Sequence, residues 1–291
     1  MALRFTTGGA VGAPTTLQIR VGPGAPGRIR VGVSAPSRAL SEAEVLSNAA
    51  HFRNPGPRSA PVERVVLSGV PDDWLAQRLL AVIQGLREHG LSTVVLHLTG
   101  EQLAGIAGLD GCDLVVTSEV PSSLPPPGER VDGSAVALTL PLTNRVLERL
   151  GEVLDAAERF GPARVTWVWP FPDGTAARPV AASKAANTLA QHLGRWTDAP
   201  FPWGIKGLPR CTLSPLASVV SLTDRIWRTR NRYYVDSEHQ GKEALMFEPD
   251  LVRLVKSDRC RFCAVDNRCD GVADRWLAEG LVTTLTPLEF P

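Results

Sequence analysis

The 291-residue sequence has almost no imbalance of charge: 31 Lys and Arg stand against 30 Asp and Glu, a formal net charge of +1. Without a basic excess there is no bulk electrostatic case for nucleic acid or an acidic membrane surface as partner. No apolar run approaches the roughly 18–20 residues that a membrane span needs. The first residues, Met-Ala-Leu-Arg-Phe-Thr-Thr-Gly-Gly, lack the apolar core of a signal peptide. Cysteine is scarce, five in all, and unevenly placed, which is not the pattern of a secreted disulfide framework. These absences predict a cytoplasmic protein. The pieces Gly8-Gly9 and Gly22-Pro23-Gly24 match neither phosphate-loop nor dinucleotide-binding spacing. No Ser/His/Asp or nucleophile-elbow signal is present, and His51, His89, His97 and His192 show no ligand spacing with one another. What remains is a chain of ordinary globular composition, long enough for one large α/β domain and a small appendage.

Periodicity predicts the elements. Residues 1–27 are rich in Gly, Pro and Thr, with one short strand at most in the alternating run Thr16–Val21. Residues 28–34 (Arg-Ile-Arg-Val-Gly-Val-Ser) read as the first strand of the main domain. Ser41 followed by Glu42 and Glu44 reads as an N-cap with an acidic first turn, opening a helix to about Phe52. Strands are expected at 64–67, 93–98, 112–117, 135–140 and 164–169. Helices are expected from Asp72 or Asp73 to about His89, stopped by Gly90, over 101–109, from Thr143 or Asn144 to Phe160, and over 181–196. A long Pro/Ser loop covers 120–133. Strands alternating with helices imply a parallel sheet with right-handed crossovers, either open and doubly wound or a partial barrel. From about Thr197 the pattern changes, and a domain change is expected there.

The cysteines carry the chemistry. Cys260, Cys263 and Cys269 lie in the run Cys-Arg-Phe-Cys-Ala-Val-Asp-Asn-Arg-Cys, with Cys211 upstream. A C-x2-C pair puts two sulfurs on one tight turn, so both can reach one metal centre. Soft thiolates suit zinc or an iron–sulfur cluster. Cys211 is expected as a fourth ligand and Cys112 as a buried strand residue. Phe262 and Trp276 are expected to bury the site. Arg261 and Arg268 flank the cysteines, and Asp270-Gly271 is expected to turn. Tyr233, Tyr234, Asp236, Glu238 and His239 form a local polar group, read as pinning the extension to the main domain rather than as acid/base machinery. Lys206 reads as a solvated lysine near the domain junction.

This order of elements, followed by a C-x2-C-x5-C run, resembles the radical S-adenosylmethionine (radical SAM) enzymes with a SPASM or twitch extension. The resemblance implies a partial (β/α)6 barrel over 28–196, a cysteine-bearing extension over 197–291 holding an auxiliary 4Fe–4S cluster, and a separate N-terminal segment, 1–27. It favours iron over zinc as the metal of Cys211, Cys260, Cys263 and Cys269. Leu67-Ser-Gly-Val-Pro71 stands where that family carries Gly-Gly-Glu-Pro, and Val70 replaces the Glu that helps bind the cofactor's amino group. The family's C-x3-C-x2-C motif after strand one is missing: the short loop Val33–Leu40 contains no cysteine. S-adenosylmethionine binding is therefore not expected, nor its reductive cleavage. The resemblance implies a degenerate member acting as a partner subunit, substrate-binding module or electron relay, with an active enzyme or a peptide substrate as protein partner, in peptide or natural-product modification. Two alternatives stay open: an enzyme using the remaining cluster as a redox or Lewis-acid centre, and a zinc-stapled binding protein.

Overall fold

Short β-branched runs buried on both faces dictate a parallel sheet covered by helices. The computed structural model describes residues 3–5, 15–23, 36–53, 61–75, 77–104, 106, 109, 111–118, 124, 136–170, 179–216, 232–244, 254–266, 269, 271–283 and 285–288. Strand β1 (Leu3–Phe5) belongs to a small sheet described below. The main sheet is built from β2 (Thr16–Arg20), β3 (Arg64–Ser68), β4 (Thr93–Thr99), β5 (Asp113–Thr117), β6 (Val136–Pro141), β7 (Arg164–Val168), β8 (Trp203–Lys206) and β9 (Arg232–Val235). Its eight strands lie in the order β8-β7-β6-β5-β4-β3-β2-β9, and every neighbouring pair is parallel.

From β2 to β8 each strand lies beside the next one in the chain, so the winding never reverses. A doubly wound sheet needs a reversal. Right-handed crossovers then put the connecting helices on one face, as in a barrel. Among the described residues no pairing joins the edges β8 and β9. The sheet is wider than the six strands expected within 28–196. It takes β2 from before that range, and β8 and β9 from after it. The expected strand at 28–34 lies outside the described residues. The segment seated beside β3 is Thr16–Arg20, whose alternation is of the same kind. Residues 21–41 lie between β2 and α1, and 24–35 of them are outside the described residues.

The helices are α1 (Glu42–Arg53), α2 (Gln77–Glu88), α3 (Gly100–Ala104), α4 (Asn144–Glu148), α5 (Leu150–Phe160), α6 (Ala182–Ala190) and α7 (Leu193–Asp198). Ser41 and Glu44 form a reciprocal capping box: Ser41 N–H donates to Glu44 at 2.8 Å, and Glu44 N–H donates to Ser41 Oγ at 3.2 Å. Thr143 caps α4 through Val146 N–H at 3.4 Å. Gly90 ends α2 with a left-handed φ of 80°, and Leu91 N–H closes back on the Leu86 carbonyl at 3.1 Å. Three expected helices are broken: the one expected from Thr143 or Asn144 to Phe160 divides at Arg149, φ −115°, into α4 and α5. Residues 72–74 form a separate 3-10 turn ahead of α2, and α6 ends where His192 N–H bonds the Leu189 carbonyl three residues back.

The C-terminal residues build the antiparallel sheet β1-β10-β11, with β10 (Leu254–Ser257) at its centre and β11 (Val272–Ala273) at one edge. The N-terminus thus contributes a strand to each sheet. Helix α8 (Asp274–Ala278) sets the buried Trp276 against Trp169, just past β7, with ring centroids 5.3 Å apart. Ala182 N–H also donates to the Leu281 carbonyl at 2.8 Å. These contacts hold the cysteine-bearing segment against the main sheet.

Candidate metal centre

Cys260 lies on a 3-10 turn, Asp258–Phe262, that starts as β10 ends, and Cys263 follows as its C-cap. Residues three apart on such a turn eclipse one another, and Cys263 N–H closes the turn on the Cys260 carbonyl at 3.0 Å. The same geometry turns the intervening residues outward. Phe262 is 71 % exposed, so it does not bury the site as expected; Trp276 is buried, in the contact with Trp169.

The loop onward to Cys269 is tied from below. Lys256, on β10, is almost fully buried and donates through Nζ to the Asp266 carbonyl at 2.6 Å and to Asp266 Oδ1 at 2.9 Å. Gly271 follows at a φ of 85°, where a Cβ would run into the Val255 carbonyl. Only glycine fits this turn. Asp270 and Arg268 lie outside the described residues.

Cys211 arrives from the other side. The chain leaves β8 through Gly207, φ 94°, where a Cβ would stand 2.8 Å from the Trp169 carbonyl. It then enters a 3-10 turn, Arg210–Leu216, that packs against α6 and includes Cys211.

Each of the four thiols has a hydrogen-bond partner close by. Ser257 Oγ lies 3.3 Å from Cys260 Sγ. Leu288 N–H donates to Cys263 Sγ, and Gly271 N–H to Cys269 Sγ, both at 3.3 Å. Thr286 supplies a backbone hydrogen bond to Cys211. Thr286 and Leu288 are two residues apart on one segment, so that segment bridges Cys211 and Cys263. The Cys211 thiol is pushed up to about 11, first by burial and then by the other three sulfurs, Cys269, Cys260 and Cys263, while the Thr286 bond opposes the rise. None of the four cysteines is in a disulfide, and all are partly buried. Among the described residues no group of three or more His, Cys, Asp or Glu side chains is gathered as a site for one metal ion. Four soft sulfurs are nonetheless the donor chemistry that suits an iron–sulfur group, and three of them act electrostatically on Cys211. Thr286 and Leu288 have no counterpart in the sequence reading, because a backbone donor leaves no side-chain signature.

The other candidates separate from this centre. Cys112 is buried, its thiol pushed up by burial, with the Arg87 guanidinium 3.6 Å from Sγ. Asp236, just past β9, accepts through Oδ1 from Glu238 N–H at 3.0 Å and His239 N–H at 2.9 Å, and lies 2.8 Å from His239 Nδ1. Glu238 accepts from Ser37 N–H and Oγ, at 2.9 and 2.5 Å. Gln240 bonds Glu44 and Asn48, and Gly241 N–H donates to Asn48. Tyr233 packs on Phe52, with ring centroids 4.4 Å apart. This group clamps the residues after β9 to α1 and to the loop before it. Lys206 ends β8. From Val21 to Ser41 the chain has no cysteine. Gly69, at φ 63°, packs so closely that a Cβ would lie 2.5 Å from the Gly22 carbonyl, and Val70 beside it is buried.

No family model matches the sequence, and no curated protein matches it. Solved structures do. Streptococcus suis SuiB bound to precursor peptide SuiA is 12 % identical with a TM-score of 0.54, over 97 % of this chain and 75 % of that one. SuiB bound to S-adenosylmethionine is 12 % identical with a TM-score of 0.53, over 93 % and 75 %. A further SuiB structure is 11 % identical with a TM-score of 0.49, over 79 % of this chain and 60 % of that one. At these identities the likeness is one of fold. It covers the α/β architecture with its parallel sheet. No helix among the described residues is long and apolar enough to cross a membrane.

Proposed function

We propose that this chain is a degenerate radical SAM-like protein whose C-terminal residues 197–291 hold one auxiliary 4Fe–4S cluster on Cys211, Cys260, Cys263 and Cys269. The observation that carries the reading is the Thr286–Leu288 segment, whose amides reach Cys211 and Cys263, together with the influence of all three clustered thiols on Cys211. The cluster would supply one-electron redox chemistry when bound. The chain's own residues supply the rest. Lys256 and Asp266 hold the Cys263–Cys269 loop in shape. The four hydrogen-bond partners offset thiolate charge. The Trp169–Trp276 contact fixes the centre against the barrel. The missing cysteines between Val21 and Ser41 and the replacement of the expected Glu by Val70 argue against cofactor cleavage. The role that follows is that of a partner subunit, substrate-binding module or electron relay in peptide modification. That SuiB has been solved with its precursor peptide supports a peptide or peptide-modifying partner.

The test is iron and sulfide content after anaerobic purification, for the wild type and each cysteine-to-alanine variant. The proposal expects about four irons and four sulfides per chain, and loss from every one of the four variants. Zinc without sulfide would replace it with the zinc-stapled reading. A second reading rests on the burial that pushes the Cys211 thiol up to about 11. In it Cys211 is spare, three cysteines hold the cluster, and an open iron acts as a redox or Lewis-acid centre. Full iron retention in Cys211→Ala would favour it.

A further inference from the structure

Strand β1 sits at the edge of the small sheet, and its register falls on the residues that shape the cysteine-bearing segment. It pairs antiparallel with β10, setting Leu3 opposite Ser257, Arg4 opposite Lys256 and Phe5 opposite Val255. Each of those three partners touches a different part of the segment. Ser257 leads into the turn that carries Cys260, and its Oγ lies 3.3 Å from Cys260 Sγ. Lys256 holds Asp266, in the loop between Cys263 and Cys269, through Nζ. The Val255 carbonyl abuts Gly271, just past Cys269. On its other edge β10 carries β11, Val272–Ala273. A two-stranded ribbon is marginal in water, so the small sheet depends on β1 for its third strand. The main sheet does not include β1, so β1 can unseat without breaking it. Local opening of such a short edge element belongs to the low-stability end of a fold.

We propose that β1 is a strap. Seated on β10, it holds the turns of Cys260, Cys263 and Cys269 and shields their thiols; unseated, it leaves them open to solution. The inference concerns access to the thiols, and it goes beyond the cluster reading without depending on it. The seat is made by backbone pairing. Any residue able to stay extended supplies that pairing, and proline, which has no N–H, does not.

The experiment uses the full chain, reduced and freed of metal by chelator, and follows iodoacetamide labelling of each cysteine by peptide mass spectrometry. Successive residues of an antiparallel strand point their N–H groups alternately toward and away from the partner. A double variant, Leu3→Pro with Arg4→Pro, therefore removes the facing donor whichever of the two residues carries it. In that variant Cys260, Cys263 and Cys269 should label about tenfold faster than in the wild type, equivalent to about 1.4 kcal/mol of local opening. Leu3→Ala with Arg4→Ala keeps both donors and should label at wild-type rates. Cys112, buried against the main sheet, should stay protected in all three chains. Wild-type rates at the three cysteines of the proline variant would overturn the strap. Cys112 labelling in step with them in any of the chains would also overturn it, because that marks global unfolding. So would an alanine variant as fast as the proline one, because the effect would then belong to side chains.

Discussion

A buried ammonium left without its carboxylate is costly, and Lys256 is where the candidate centre depends on one contact. Its Nζ holds both the carbonyl and the carboxylate of Asp266, so Asp266→Ala should destabilise the metal-free chain by about 3 kcal/mol, read from chemical denaturation. Lys256→Met, which removes the charge along with its need for a partner, should cost less. Two surface carboxylates set an acid limit. Glu238 is held down at about 2, by the Ser37 hydroxyl first and then the Ser37 amide and Ser237. Glu44 is held well below the usual range, by Arg38 first and then the Ser41 amide. A carboxylate depressed in the folded state adds stability above its ordinary value of 4.5, and that stability is lost as pH falls through the folded value. The thermal midpoint of the wild type should therefore drop between pH 4.5 and 2. In a variant combining Glu44→Gln and Glu238→Gln the drop should be shallower. An identical slope in the two would contradict these partners.

At the scale of elements, close backbone approaches fix where the strand ends meet. Gly69→Ala puts a Cβ 2.5 Å from the Gly22 carbonyl at a φ of 63°. The left-handed conformation alone costs about 1–2 kcal/mol, so a denaturation midpoint lowered by at least that much is expected. Thr143→Ala, which removes the cap of α4, should cost about 1 kcal/mol. The elements with local signals were legible in the sequence. Ser41 with Glu44 and Gly90 mark helix ends by their own chemistry, and β3 through β7 are bounded by turn residues. The strands at the sheet's edges were not. Arg232-Tyr-Tyr-Val235 is buried at all four positions, so no alternation marks it, and its partner β2 is over 200 residues away in sequence. Trp203–Lys206 is four residues with a glycine inside. The short strand allowed at Thr16–Val21 pairs with both β3 and β9, a non-local pairing that its alternation does not announce. At the candidate centre the thiols were legible because C-x2-C is a local pattern. The outward-facing Phe262 was not, because its direction depends on the turn being 3-10.

For the whole molecule, the order of strands carries what periodicity left open. Seven strands from β2 to β8 in chain order, with β9 added beside β2, make a singly wound sheet. The N-terminal residues join this sheet to the small one through β2 and β1. The proposal made for this sheet is that it keeps one cluster and lacks the means to hold the cofactor-cleaving one. The measurement that tests it most directly is an electron paramagnetic resonance spectrum of the reduced, anaerobically purified chain with and without S-adenosylmethionine. The account predicts the signal of one 4Fe–4S cluster per chain, unchanged by the cofactor. Signals from two clusters, one of them shifted when S-adenosylmethionine is added, would contradict it.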